Sequence, residues 1–355
     1  MFPDRHFPTQ MEPGELDRYL AKGWYRMGQS IFTTHFLNFG DQFYSAIWIR
    51  LPLQDFTFKK RQRKLFRQNS SFKTVFRKAV IDEEKERLYQ RYREHFPGTL
   101  APSLNNLMYD ELDYNIYDTR EASIYDGERL IAFSFYDLGK NSSSSIVGVY
   151  HPAYQKHSLG YFSMLLEMQH SMQLGLEYYY PGYVVPGYPR FDYKLRIGEV
   201  EYLNLYQEKW LPYEEFGEED IPLRQLENMM RKMEATLELA RIPNRFVYYP
   251  HFSALLYSLW MEPYLSYPYF IHCFPEAGDT ICAVTYDLNS STYRVVECYV
   301  SAELSFSRGH QHYEAMESNP YFRYLFSINE TLATAKKPHE IVRELVHWRK
   351  SALEK

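Results

Sequence analysis

Between Tyr178 and Lys194 the chain reads YYYPGYVVPGYPRFDYK, six tyrosines, three prolines and two glycines in seventeen residues, and Arg196 follows shortly after. Each tyrosine offers a ring face for packing and a hydroxyl for hydrogen bonding, and Arg190, Lys194 and Arg196 are cations able to receive a carboxylate. A second concentration of charge lies in FTFKKRQRKLFRQNSSFKTVFRK, where Lys59, Lys60, Arg61, Arg63, Lys64 and Arg67 form a dense block that Lys73, Arg77 and Lys78 extend. Such a block is ordinarily a solvated helix face; the interleaved Phe56, Phe58, Phe66 and Phe72 raise the alternative of a positive surface anchored to a core and directed at phosphates.

Other chemistries lack their residues. The chain has no P-loop, no GxSxG elbow, no HExxH and no convincing metal set. His310 and His312 in RGHQHY are a ligand pair only if a third group joins them. No metal and no cofactor is therefore expected. The three cysteines, Cys273, Cys282 and Cys298, match neither CxxC pairs nor a disulfide framework, which predicts reduced, buried thiols. A net charge of -5 over 355 residues argues against a protein that coats nucleic acid generally, so any such contact must come from a local patch. The N-terminal MFPDRHFPTQ lacks a basic segment followed by an apolar run, so no signal peptide is expected there, and no stretch approaches the roughly 20 apolar residues of a membrane span. A cytoplasmic protein is the expectation.

The elements that must position these residues read as α+β. ASIYDGERLIAFSFYD is a strand pair about an Asp126-Gly127 turn. SSSSIVGVY predicts a loop followed by a strand. HSLGYFSMLLEMQHSMQLGL carries Leu159, Phe162, Leu165, Leu166 and Met172 at helical spacing, with Ser158 as cap candidate and Gly175 as stop. EYYYPGYVV is the next strand, so strand, helix and strand form a parallel crossover whose helix N-terminus suits anionic or carbonyl oxygens. The acidic YEEFGEEDIP reads as a linker, LRQLENMMRKMEATLELARI as a helix, TICAVTYDLNSSTYRVVECYV as a hairpin and PHEIVRELVHWRKSALEK as an amphipathic terminal helix. The expected division is residues 1–80, an N-terminal α+β domain with the basic patch; 81–222, the catalytic domain; and 223–355, a C-terminal α+β extension without an assigned role.

Successive motifs carry a family resemblance from about residue 15 to about residue 212. GWYRMG with IFTTHF, FTFKKRQRKLFRQN, SSSSIVGVYHPAYQKHSLGYF and above all YYYPGYVVPGYPRFDYKLRIGEVEYL resemble the aminoacyl-tRNA-protein transferases, which comprise the arginyl-tRNA-protein transferases and their bacterial leucyl relatives. The last block is the most specific: Tyr-Pro-Gly-Tyr, Pro-Arg-Phe, Tyr-Lys, Arg196 and Glu201 stand where the family has Tyr-x-Gly-Tyr, Pro-Lys-Met, Tyr-Lys, Arg and Glu. One departure is clear. After His35 the family usually has a cysteine cluster, and this chain reads HFLNFGDQFYSAIWIR, so metal, haem or redox regulation does not carry over.

The resemblance implies a GNAT-type acyltransferase core, a mixed sheet flanked by helices, that moves arginine or leucine from charged tRNA to the N-terminal amine of proteins beginning with Asp or Glu, as in the N-degron pathway. It implies tRNA and acidic-N-terminus proteins as partners. The acceptor stem needs cations, for which Lys59, Lys60, Arg61, Gln62, Arg63, Lys64 and Arg67 are the candidates. The acceptor carboxylate needs Arg190, Lys194 or Arg196, and the terminal adenosine needs rings such as Tyr180, Tyr183 and Tyr193. Tyr183, Tyr193 and Lys194 are the catalytic candidates. Asp137 and Glu201 either orient the amine or neutralise Arg196. Ser158 is better placed to cap its helix than to act as a nucleophile, since no general base lies at a recognisable distance. Two other readings stay open: an acyl-CoA-dependent N-acyltransferase, which the single Gly160 in YQKHSLGYF serves poorly because a pyrophosphate cradle needs several glycines, and an inactive tRNA or peptide binder.

Overall fold

The Asp126-Gly127 turn does form a hairpin, and in the computed structural model, which describes residues 3–39, 42–110, 112–257, 262–275, 280–303 and 320–353, that hairpin lies within an eight-stranded sheet. The chain enters through β1 (Asp4–His6), α1 (Pro13–Leu20), β2 (Tyr25–Met27) and β3 (Ser30–Thr33), with a small sheet ordered β1-β3-β2, and then the hairpin of β4 (Phe36–Phe39) and β5 (Gln42–Ser45). The large sheet is built from β6 (Ile47–Pro52), β7 (Lys73–Lys78), β8 (Thr119–Asp126), β9 (Arg129–Leu138), β10 (Ser142–Tyr150), β11 (Tyr178–Val184), β12 (Glu201–Asn204) and β13 (Lys209–Pro212), interrupted by α2 (Lys60–Gln68), α3 (Glu83–His95), α4 (Leu104–Tyr109) and α5 (Leu159–Gln173). Its order is β13-β12-β6-β11-β10-β9-β8-β7, so strands from before and after residue 80 share one sheet.

Alternation along β9 decides which helices cover which face. Ala132 and Tyr136 pack beneath α5 with Phe162, Leu165 and Leu166, while Phe133 and Phe135 face Leu88 and Tyr89 of α3 and Leu104 and Met108 of α4. The predicted crossover is present: β10 and β11 are parallel neighbours joined by α5. Two sequence expectations are corrected. Ser142 to Ser145 are strand rather than loop, because their small side chains let α5 approach closely: Ser143 Oγ lies 2.6 Å from Ser171 Oγ in the interior. The acidic stretch is not a linker, since Tyr213 and Phe216 stack at 5.3 Å and the Tyr202 hydroxyl donates to Asp220 at 3.1 Å.

At Pro222, where its missing N–H is tolerated in a first turn, α6 (Pro222–Leu239) begins the C-terminal part. It continues through β14 (Asn244–Tyr248), α7 (Ala254–Tyr257), β15 (Tyr269–Cys273), β16 (Ile281–Asp287), β17 (Thr292–Glu303), β18 (Tyr324–Ala335) and α8 (Pro338–Leu353), with five strands in sequence order. Leu226, Met230, Met233 and Leu237 of α6 and Ile341 and Leu345 of α8 cover this sheet. Phe36 of β4 enters the same core and Phe43 of β5 packs against it, which fastens the N-terminal hairpin to the extension. The three cysteines are free and buried here, and burial pushes the Cys282 and Cys298 thiols up to about 12. No helix among the described residues is long and apolar enough to cross a membrane.

Candidate active site

The crossover strands pair for only three residues, Ser142, Ser143 and Ser144 against Tyr178, Tyr179 and Tyr180, and then part. The sequence causes the parting. Pro181 cannot donate to a ladder and is tolerated in a strand at a bulge, and β11 is bulged against β6 between Tyr179 and Gly182. Gly182 has φ +98°, and a Cβ there would lie 3.1 Å from Lys194 Nζ. The pair Pro181-Gly182 therefore ends the ladder and opens the backbone to a lysine.

A 3-10 helix, Pro189–Arg196, delivers the signature cations and Tyr193 to this opening. Lys194 Nζ donates to the Tyr183 carbonyl at 3.1 Å and lies 5.3 Å and 5.2 Å from the ring centroids of Tyr183 and Phe191. Among the described residues it has no carboxylate partner, and burial lowers its pKa from 10.5 to about 8. The Tyr183 ring rests edge-on against Trp48 at 5.1 Å. Tyr193 is 39 % exposed, yet desolvation and then Glu167 raise the pKa of its hydroxyl. Arg190 lies over the Phe96 ring at 4.2 Å and donates to the Pro97 carbonyl at 2.8 Å, while its Nη2 has no protein partner.

Beside this opening is a cleft of about 460 Å³ lined by Lys59, Arg61, Gln62, Lys64, Leu65 and Gln68 of the α2 region, by Ser158 and Tyr161 at the start of α5, and by Tyr193 and Arg196. It is cationic by construction. Phe66 of α2 packs on Phe162 of α5 at 5.4 Å and on Phe58 at 5.0 Å, so apolar anchors hold the like-charged helix face outward. Same-sign neighbours such as Lys60 and Lys64 oppose helix formation by a few tenths of a kcal/mol each, a cost that a phosphate ligand would relieve. Lys60, Arg63 and Arg67 are exposed on the same helix but outside the cleft lining.

Several candidates serve the scaffold instead. Gln62 lies in the wall of the cleft but its amide is engaged by the scaffold: it is 3 % exposed, its Oε1 accepts from the Lys59 N–H at 2.8 Å and its Nε2 donates to the Ile197 carbonyl at 2.8 Å. Ser158 lines the cleft but does not cap α5, because it adopts φ +51° and its side chain makes no capping bond. Asp137 pairs with Arg26 at 3.0 Å in the interior and accepts from Thr119 at 2.6 Å. Glu201 pairs with Arg50 at 2.6 Å, whose guanidinium lies between the Tyr178 and Trp210 rings. Neither carboxylate neutralises Arg196. Tyr180 is 2 % exposed in the core with Trp48, where no nucleobase can stack on it. His310 and His312 lie outside the described residues, among which no three His, Cys, Asp or Glu converge on a metal position.

Sequence reasoning missed Glu167 and Tyr161. Glu167 is 1 % exposed on α5, and burial raises its pKa to about 7 despite the hydroxyls of Ser134, Tyr179 and Ser145 around it. A lone carboxylate among the apolar positions of SMLLEMQ was the available signal. Tyr161 donates to the Arg196 carbonyl at 2.8 Å and nothing in its spacing marks it.

Residues 84–204 match the family described as "Arginine-tRNA-protein transferase, C terminus", which makes the protein an aminoacyltransferase that uses charged tRNA. The chain is 28 % identical over 194 residues, 53 % of its length and 74 % of the relative's, to the "Aspartate/glutamate leucyltransferase" of Leptospira interrogans strain Fiocruz L1-130. Similar relatives of that name occur in Pseudomonas fluorescens strain Pf0-1, 27 % identical over 53 % of this chain and 79 % of that one, and in Vibrio cholerae strain M66-2, 27 % identical over 57 % and 85 %. The solved structure of FemX is a distant match, with TM-score 0.34 and 10 % identity over 49 % of this chain and 61 % of that one. Over these stretches the chain is similar to the aminoacyl-tRNA-protein transferases.

Proposed function

We propose that the protein transfers an amino acid from the 3′ end of charged tRNA to the α-amine of proteins beginning with Asp or Glu, on a GNAT-type core whose reaction centre is the parting of β10 and β11, and that it does so in the cytoplasm as an N-degron enzyme. The observation that carries this reading is the convergence of the α2 cations, the start of α5, Tyr193 and Arg196 on one cleft. Cations there receive the phosphates of the tRNA end. Arg190, held over the Phe96 ring and near Tyr193 in sequence, is the cation that receives the acidic side chain of the acceptor.

The chemistry needs little acid-base assistance. The ester is already activated, and an α-amine of pKa about 7.7 to 8 is partly neutral at pH 7. Holding amine and carbonyl in contact supplies most of the acceleration, since effective molarities of oriented groups reach on the order of 10⁵ M or more. As the amide C–N bond forms and the ester C–O bond breaks, charged Lys194 stabilises the negative charge that develops on the ester oxygen, and the proton the amine loses passes to the departing 3′ oxygen by way of the Tyr193 hydroxyl. Leucine is the favoured donor over arginine, because the cleft lining contains Leu65 and several cations but no carboxylate to pair with a guanidinium.

Incorporation of label from leucyl-tRNA and arginyl-tRNA, in parallel, into peptides starting with Asp, Glu and Ala tests this reading. Label from leucyl-tRNA on the Asp and Glu peptides is expected. Transfer from arginyl-tRNA alone would overturn the donor assignment, and no transfer from either, with tRNA still bound, would leave a binding protein.

A further inference from the structure

Arg91 of α3 and Arg129 at the start of β9 aim their guanidinium groups at one atom. His151 Nε2 lies 2.6 Å from Arg91 Nη1 and 2.7 Å from Arg129 Nη2, and the Ala153 N–H donates to His151 Nδ1 at 3.2 Å. A neutral imidazole has one donor nitrogen and one acceptor nitrogen. If Nδ1 is the acceptor for Ala153, then Nε2 carries the proton, and three donors face one another with no acceptor between them. If the proton is on Nδ1 instead, Ala153 is without its acceptor and a single lone pair serves two cations. Either way the cluster lacks an acceptor, which an anionic oxygen would supply.

No protein carboxylate fills that place. Among the described residues neither Arg91 nor Arg129 forms an ion pair. The nearby acids have other partners or lie along α3: Asp126 accepts from the Tyr154 hydroxyl at 2.8 Å, Glu84 accepts from the Leu130 N–H at 3.2 Å, and Glu83, Glu86 and Glu94 share with Arg91 a groove along α3 without pairing with it. Both arginines are exposed while His151 is 9 % exposed, so the cluster is a fixed imidazole with two reachable cations on its rim. His95 adds a further titratable group beside it.

The position decides between anions. A 3-10 segment kinked at Tyr154, Pro152–His157, runs from His151 to Ser158 of the cleft. The segment is short and bent, so it keeps the cluster within a few residues of the cleft, the scale of a short run of phosphates. Lys156 lies on that path, and Gln68 of α2 donates to the Lys156 carbonyl at 3.2 Å, tying it to the basic helix. We propose that Arg91, Arg129 and His151 form a phosphate-binding site for the acceptor stem of tRNA, a few nucleotides from the 3′ end held in the cleft. This site rests on the reading of the cleft as the tRNA end site, and it gives the catalytic domain a second grip on the stem.

The test uses the full chain and an uncharged tRNA transcript, with binding followed by fluorescence anisotropy across a salt series. The double variant Arg91→Gln, Arg129→Gln should bind about tenfold more weakly near 0.1 M salt. Its slope of log K against log salt should fall by about 1 to 2, as expected when one or two phosphates go without a cation at about 0.9 each. Arg129→Glu alone should be at least as damaging. The KM for an Asp-starting peptide should not move, and the melting temperature should hold because both side chains are exposed and without ion pairs. Unchanged tRNA affinity and slope would overturn the site, as would a raised peptide KM with tRNA binding intact, which would give the cluster to the acceptor protein. Weakened tRNA binding in Lys60, Arg61 and Lys64 variants but not in this double variant would sink the inference while the proposed function stands; absence of tRNA binding by the unaltered protein would sink the function itself.

Discussion

The Tyr179 hydroxyl donates to Glu167 Oε2 across 2.8 Å, joining α5 to β11 beneath the last paired residues of the crossover. Both side chains are out of contact with water, so the carboxyl is held where ionisation is unfavourable. Burial raises the Glu167 pKa from 4.5 to about 7. A raised carboxyl pKa means that the folded state binds the proton more tightly than the unfolded chain, so its stability contribution is full below about pH 4.5 and lost as pH rises through about 7. Glu167→Gln keeps an oxygen for Tyr179 but cannot ionise. Urea unfolding should therefore find the variant more stable by about 1 to 3 kcal/mol at pH 8, with the gain gone at pH 4.5. An equal gain at both values would show that folding does not raise the carboxyl's pKa.

Lys194 is the complementary case, a cation in a desolvated place. Burial lowers its pKa from 10.5 to about 8, so the unfolded chain binds the proton more tightly between those values and stability rises with pH across that window. Lys194→Met should stabilise the fold at pH 7 by about 1 to 3 kcal/mol, less than the full shift implies because the side chain is partly exposed. Activity should move the other way, with kcat down about 10² to 10³ if the ammonium stabilises the developing oxyanion. The pH profile distinguishes this role from mere packing. A charged Lys194 predicts a rate that declines above about pH 8, and Lys194→Arg should abolish that decline, since guanidinium stays charged.

The two kinds of residue in KKRQRKLFRQ should separate cleanly. Gln62→Leu removes the donor to the Ile197 carbonyl and the acceptor of the Lys59 N–H, which should destabilise the protein by about 1 to 3 kcal/mol while leaving tRNA affinity of the folded fraction unchanged. Replacing Lys60, Arg61 and Lys64 with Gln should do the reverse, with little change in melting temperature and a salt slope shallower by about 1 for each phosphate no longer neutralised. A tRNA defect in Gln62→Leu at full folding would return that side chain to the interface.

What the sequence displayed, and what it hid, follows from the range of the forces involved. The β8–β9 turn, α5, the β16–β17 hairpin and α8 are written in local periodicity and turn residues, and a reader of the chain places them. Ser142 to Ser145 look like a loop because local propensity cannot register that α5 will lie against them; the approach of Ser171 to Ser143 supplies that information. Basic and aromatic site residues were visible as clusters, yet their partners were not. Glu201 and Arg50 are 151 positions apart, and nothing near Glu201 indicates that it faces β6 rather than Arg196. Gln62 sits within a cationic run whose neighbours point outward, and only the helical phase of Leu65 and Phe66 hints that it points in.

The Arg26–Asp137 pair gives a final test of scaffold against site. The two groups are 3.0 Å apart with side chains 4 % and 1 % exposed, and Arg26 also donates to Thr119 Oγ1 at 2.8 Å and lies 4.5 Å from the Tyr117 ring centroid. Removing one partner strands a charge in the interior, so Asp137→Ala should cost about 3 to 5 kcal/mol. Removing both charges together avoids that penalty: Arg26→Met with Asp137→Leu should recover most of the stability, because a buried pair exchanged for apolar groups of similar volume is often close to neutral. Since neither residue lines the cleft, the double variant should keep the wild-type kcat/KM once folded. Restored stability with transfer still abolished would mean that Asp137 acts on the amine after all, and the ion pair would then be part of the reaction centre.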